Sequence, residues 1–224
     1  MTSGSFRRQS GSAASAADPF SYGIALWLVL LLVIGLSVLL QEEEGQSAQA
    51  IVLGDFVIAA VVLVFAAVLI KEIRPLFETF GTWRAIPWTA GAFVFVAAFM
   101  AGYKFVATSI GFRYTSLAEG YAGTGWPLWG VLVSAAAVPA IFEEIAFRGV
   151  IQTGMERVMA PREALIVQAA MFSVLHLLPA VFVSHFVIGL VLGFLRRRTG
   201  SIYPGMLVHA AWNAWVVTQG WHEM

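Results

Sequence analysis

The chain has 224 residues, 59% of them hydrophobic and 12% charged, and its mean hydropathy is +0.82. Soluble domains carry about 25% charged residues, so this composition excludes a soluble globular protein and indicates a polytopic membrane protein of one domain. Thirteen basic residues balance thirteen acidic ones, leaving no basic surface for nucleic acid, and the absence of cysteine excludes disulfides, thiol catalysis and cysteine metal sites.

Residues 1–19, rich in Ser, Ala and Gly, read as a disordered tail ahead of a single transmembrane domain over 20–224. Arg7 and Arg8 before an apolar run, with Ala48-Gln49-Ala50 downstream, have the outline of a signal peptide. The run from Tyr22 to Leu40 is longer than a signal core, and "QEEEGQ" separates it from the cut, so a retained first helix is expected. Apolar runs then predict an all-α bundle of about seven spans: 22–40, 50–70, 86–110, one from Pro127 through "PAIFEEIAFRG", then 163–178, 181–195 and 203–220. The fifth and sixth are short, and Pro179 can make them one broken element, so six to eight spans bracket the count.

Basic and non-basic loops alternate along this order. Arg7 and Arg8, then Lys71, Arg74 and Arg84, then Arg157 and Arg162, then Arg196, Arg197 and Arg198 mark one side, which the positive-inside rule makes cytoplasmic. The expected setting is a bacterial inner membrane, with the N-terminus cytoplasmic and the C-terminus outside.

Six ionisable residues stand out inside the apolar runs: Glu143, Glu144, Arg148, His176, His185 and His209, with Asn213 as a polar companion. Such residues cost about 2.5 to 3.5 kcal/mol at mid-bilayer and normally face a bundle interior or a water-filled cavity. Glu144 and Arg148 are i and i+4 in the order that favours a helical ion pair. Glu143 lies about 100° round the helix from Glu144, so Arg148 cannot neutralise both equally. If the chain reverses at "APRE", Glu143 and His176 both lie roughly 22 to 26 Å from the turn, at similar heights on an antiparallel pair. His209 and Asn213, again i and i+4, share one face of the last helix.

A pocket of this kind can hydrolyse a peptide bond. Glu143 can take a proton from water, and His176 can position that water or protonate the leaving amine. His209 and Asn213 can donate to the oxyanion. Equally, Glu143, His176 and His209 can hold zinc with a fourth position for water, although no H-E-x-x-H motif specifies it. The residues leave zinc and a metal-free mechanism both open.

The order "EEIAFR", "FSVLH", "HAAWN" resembles the CPBP family of CAAX-processing and bacteriocin-processing intramembrane proteases, also labelled abortive-infection proteins. The family motifs E-E-x-x-x-R, F-x-x-x-H and H-x-x-x-N follow one another on successive membrane helices, and the likeness covers about 127–215. It implies an endopeptidase cutting a membrane-associated protein or peptide in the bilayer. Glu143 and His176 are then the water-handling pair, His209 and Asn213 the oxyanion donors, and Glu144 and Arg148 the rest of the first motif.

Blander readings stand beside these. Glu144 and Arg148 can be a structural ion pair, Glu143 a channel-lining acid, and Phe172 packing that orients His176. His185 lies outside the three motifs and reads as a bundle-facing histidine, and His222 as solvated. Gly189 and Gly193 form a small-xxx-small packing face, and Trp27, Trp83, Trp88, Trp126 and Trp129 an aromatic belt. The competing function is a non-catalytic membrane scaffold, immunity factor or complex subunit that retains the fold, with other membrane proteins as partners. A transporter predicts symmetry between halves, which the sequence lacks.

Overall fold

Asp18 opens the first helix by accepting from the backbone N–H groups of Phe20 and Ser21, with Pro19 as the first helical residue. The structure, a computed structural model, describes residues 18–40, 48–79, 83–112, 118–121 and 124–221. Residues 1–17, "QEEEGQ" and His222 lie outside the described residues. Seven long helices follow in order: α1 Pro19–Leu39, α2 Ala48–Val68, α3 Ala85–Ser109, α4 Leu128–Met155, α5 Pro161–Leu175, α6 Phe182–Thr199 and α7 Tyr203–Trp221. Two short helices, Ile70–Ile73 and Pro75–Glu78, follow α2. The described residues are helical throughout their regular structure, with no strand among them.

The expected boundaries hold to within a few residues for α1 to α4. At α6 they do not. The helix continues to Thr199, so Arg196, Arg197 and Arg198 occupy its last turn rather than a loop, and Gly200 closes it at φ 67°. Favourable contacts draw this turn in: Arg196 is buried, with its guanidinium 2.7 Å from Glu156 Oε2 and 2.8 Å from Thr153 Oγ1.

Among the described residues, five helices are long and apolar enough to cross a membrane: α1, α2 from Ala50, α3, α4 and Pro179–Thr199. The expectation of seven spans is thus carried for five. The 15 residues of α5 reach about 22 Å at 1.5 Å per residue, short of the roughly 30 Å hydrocarbon core. In α7, Tyr203, Pro204, His209, Asn213 and Gln219 dilute the apolar run.

Burial places α4 at the centre, since half of its best apolar window is buried against 11–17% for α1 to α3. It runs unbroken but winds wider at Val133–Ala137 and Ile145–Ile151. Pro139 explains the first stretch: it lacks an N–H, and its ring would meet the carbonyl of Ala135 in a regular α-helix. The second follows Glu144 and contains Arg148, and wide π-turns of this kind recur at functional sites.

Close packing around α4 uses glycine where a side chain has no room. A Cβ on Gly154 would lie 2.3 Å from the Pro19 carbonyl oxygen, so α1 starts directly against α4. A Cβ on Gly189 would lie 2.9 Å from Ala169 Cα, which makes the Gly189 and Gly193 face the seat of α6 on α5. Trp27, expected in an aromatic belt, instead donates from Nε1 to the Met171 carbonyl at 3.0 Å and ties α1 to α5.

Candidate active site

Four helices bring the predicted residues together. α4 supplies Glu143, Glu144 and Arg148, α5 supplies Phe172 and His176, α6 supplies His185, and α7 supplies His209 and Asn213. The i, i+4 spacing of Glu144 and Arg148 becomes a fully buried ion pair, Nη1 to Oε1 at 2.7 Å. The other guanidinium terminus donates to the Gly189 carbonyl at 3.2 Å, and the guanidinium carbon lies 4.6 Å from the Phe172 ring centroid. Arg148 thus neutralises Glu144, anchors α6 and stacks on α5 together.

His209 joins the two glutamates. Its Nδ1 lies 3.1 Å from Glu144 Oε1, and its Nε2 lies 3.8 Å from Glu143 Oε2. A carboxylate oxygen accepts, so His209 Nδ1–H donates to Glu144, and Nε2 is left facing Glu143. The two acids differ in access: the Glu143 side chain is 26% exposed and that of Glu144 fully buried. Gly205, one turn before His209, makes this possible, because a Cβ there would lie 2.7 Å from Glu144 Oε2.

Phe172 is the hub of the aromatic contacts. Its ring centroid lies 4.9 Å from His176, 6.1 Å from His185, 6.1 Å from His209 and 5.0 Å from Phe147. His176 ends α5, and its Nδ1 meets the Phe172 carbonyl at 2.9 Å. A carbonyl accepts, so Nδ1 carries the proton and Nε2 is the lone-pair nitrogen. Asn213 is half-buried one turn beyond His209, and among the described residues no hydrogen bond links it to the others.

His185, expected as a bundle-facing histidine, stacks on His176 with centroids 3.8 Å apart. Other polar residues carried no reading from the sequence. Gln152 and Glu156 extend the spacing of four from Glu144 and Arg148 along one face of α4. Gln152 donates to Glu156 at 3.1 Å, and Gln168 of α5 shares the Gly189 carbonyl with Arg148 at 2.9 Å. Asp55, inside the second apolar run, accepts from Ser134 at 2.6 Å, and Ser134 in turn accepts from Tyr121 at 2.9 Å. The signal for Asp55 was present, an acid in the middle of "AIVLGDFVIAA".

Among the described residues no three His, Asp or Glu side chains are grouped to hold a metal ion. What the cluster offers is a partly exposed glutamate whose Oε2 is buried without a hydrogen-bond partner among the described residues, a histidine fixed by a buried carboxylate–guanidinium pair, and two further imidazoles with lone-pair nitrogens.

Residues 124–215 match the family model described as type II CAAX prenyl endopeptidase Rce1-like. The match begins just before α4 and ends within α7, so it takes in every residue of the cluster. No curated protein and no solved structure matches the chain.

Proposed function

We propose, from the match of residues 124–215 to the Rce1-like CAAX endopeptidase family model, that this integral membrane protein hydrolyses a peptide bond of a membrane-associated protein or peptide. The observation that carries the reading is the unequal pair: the Glu143 side chain is partly exposed and its Oε2 has no hydrogen-bond partner among the described residues, while Glu144 is sealed between Arg148 and His209. One carboxylate is available for chemistry and the other is committed to holding the histidine.

In this mechanism a water between Glu143 and His176 loses a proton to Glu143 as its oxygen attacks the carbonyl carbon. The carbonyl π electrons move onto oxygen, and the resulting oxyanion is met by N–H donors from His209 Nε2 and from Asn213. Glu144 holds His209 through Nδ1–H, and Arg148 holds Glu144. Collapse of the intermediate breaks the C–N bond, and the leaving amine takes the proton that Glu143 gained from water, directly or relayed through His176 Nε2. The family description points to a prenylated C-terminal CAAX sequence as the substrate class. The basic helix ends would face the cytoplasm of a bacterial inner membrane.

A quenched peptide ending in an S-farnesyl CAAX sequence, given to the full chain in proteoliposomes, tests this. Glu143→Gln and His176→Ala should each lower kcat by about 10² or more, while the protein stays folded. Wild-type turnover by Glu143→Gln would overturn the assignment, and rescue of a deletion phenotype by that variant would favour the scaffold.

A further inference from the structure

His185 belongs to none of the motifs that the proposed chemistry uses, yet it makes the tightest contact with His176. The two ring centroids are 3.8 Å apart with planes inclined by 43°, against 4.9 Å for the neighbouring Phe172–His176 pair. A polar ring in an apolar helix carries a desolvation cost that phenylalanine would avoid. Its nitrogen contacts explain its presence. His185 Nδ1 lies 3.0 Å from the Val181 carbonyl and 3.3 Å from Ser184 Oγ, which fix the ring plane on the first turn of α6.

The connection between the two histidines is held from both sides. Ser173 of α5 donates to the Phe182 carbonyl, and Tyr103 of α3 donates to the Ala180 carbonyl at 2.6 Å. Leu177, immediately after His176, has φ +54°, a left-handed conformation that costs an L-residue roughly 1 to 2 kcal/mol. That turn lets α5 end at His176 and α6 return with His185 against it. Strain of this kind persists where the surrounding structure over-determines it.

We propose that His185 is a positioning residue for His176: its ring, locked by Val181 and Ser184, is the wall that fixes the plane of the His176 imidazole. Its catalytic consequence rests on the role given to His176 above, but its structural consequence does not. His176 keeps one tautomer, Nδ1–H on the Phe172 carbonyl, only while its ring cannot turn away from that carbonyl. An aromatic ring at 185 supplies the wall, and an aliphatic or small side chain does not.

The chain has four histidines, so ring ¹⁵N resonances of His-labelled protein are assignable by single substitutions. In His185→Leu, and in His185→Asn as a second ringless variant, the His176 resonances should move from one tautomer to an exchanging mixture. In His185→Phe they should stay with a single tautomer. On the farnesylated peptide the ringless variants should lose about tenfold in kcat, with KM unchanged, and His185→Phe should recover most of it. Unchanged His176 resonances in a folded ringless variant overturn the proposal, whatever the activity. So does equal behaviour of the Phe and Leu variants. If the wild type leaves the peptide intact, the protease reading fails and the resonances still decide this one.

Discussion

Replacing Gly205 with alanine puts a methyl carbon 2.7 Å from Glu144 Oε2 and 3.5 Å from its Cδ. The carboxylate cannot simply swing aside, because its other oxygen is 2.7 Å from Arg148 and 3.1 Å from His209. Overpacking a filled core costs about 1 to 3 kcal/mol, and losing the buried ion pair raises that to about 3 to 5 kcal/mol. Thermal unfolding in detergent should therefore show a clear loss for Gly205→Ala. Gly35→Ala and Gly54→Ala, where nothing lies within 4 Å of the added Cβ, should be near neutral. Turnover of the farnesylated peptide should fall with stability and beyond it, since His209 loses its carboxylate partner. A double-mutant cycle isolates the cause. With Glu144→Ala already present the methyl has room, so the second substitution should cost far less, with a coupling of up to about 3 kcal/mol. Additive costs, or a Gly205→Ala protein as stable as the wild type, would refute the account of Glu144 as a carboxylate wedged between α4 and α7.

Two further outcomes follow from the same contacts. Arg148→Met removes the partner of a fully buried Glu144 and should destabilise by about 3 to 5 kcal/mol; Glu144→Gln added to it should restore part of that loss, and unfolding midpoints of the two proteins check both. Leu177→Gly removes a positive-φ leucine and should be neutral to stabilising by up to about 1 kcal/mol, whereas β-branched Leu177→Val should destabilise. A marked loss on Leu177→Gly in the same melts would count against the strained turn.

How much of this was legible in the sequence depended on how local each contact is. Glu144 and Arg148 announced themselves as charges in an apolar run, and their spacing of four fixed the pairing. The same spacing carries on to Gln152 and Glu156, so this stripe was readable but was passed over. His185 was not readable as a partner of His176. The two lie on different helices, and their approach depends on a left-handed Leu177 and on hydrogen bonds from Ser173 and Tyr103. Asp55 was visible as an acid, but its partner Ser134 is 79 residues away. Gly205 gave no signal at all, since "YPGMLVHAAWN" looks the same whether the glycine opens a helix or faces a carboxylate. Arg196 was misplaced because a run of three arginines resembles a loop until Glu156 and Thr153 are seen to receive it.

The helices that fall short as spans are also ones that carry the chemistry. α5 is too short and α7 too diluted by polar residues to satisfy the length and apolarity that α1 to α4 satisfy, and these two bring His176, His209 and Asn213. The coincidence has a physical reason. A polar side chain survives at membrane depth only where protein or water surrounds it, so a helix bearing several must be enclosed by others. α4 bears the two glutamates and the arginine, and it is the most buried of the five spans. α1 to α3 carry their apolar faces outward, with large exposed residues such as Leu32, Phe56 and Phe105. These outward faces suit the outer helices to lipid, while α4, α5, α6 and α7 enclose the Glu144–Arg148 pair, Glu143 and the imidazoles around them.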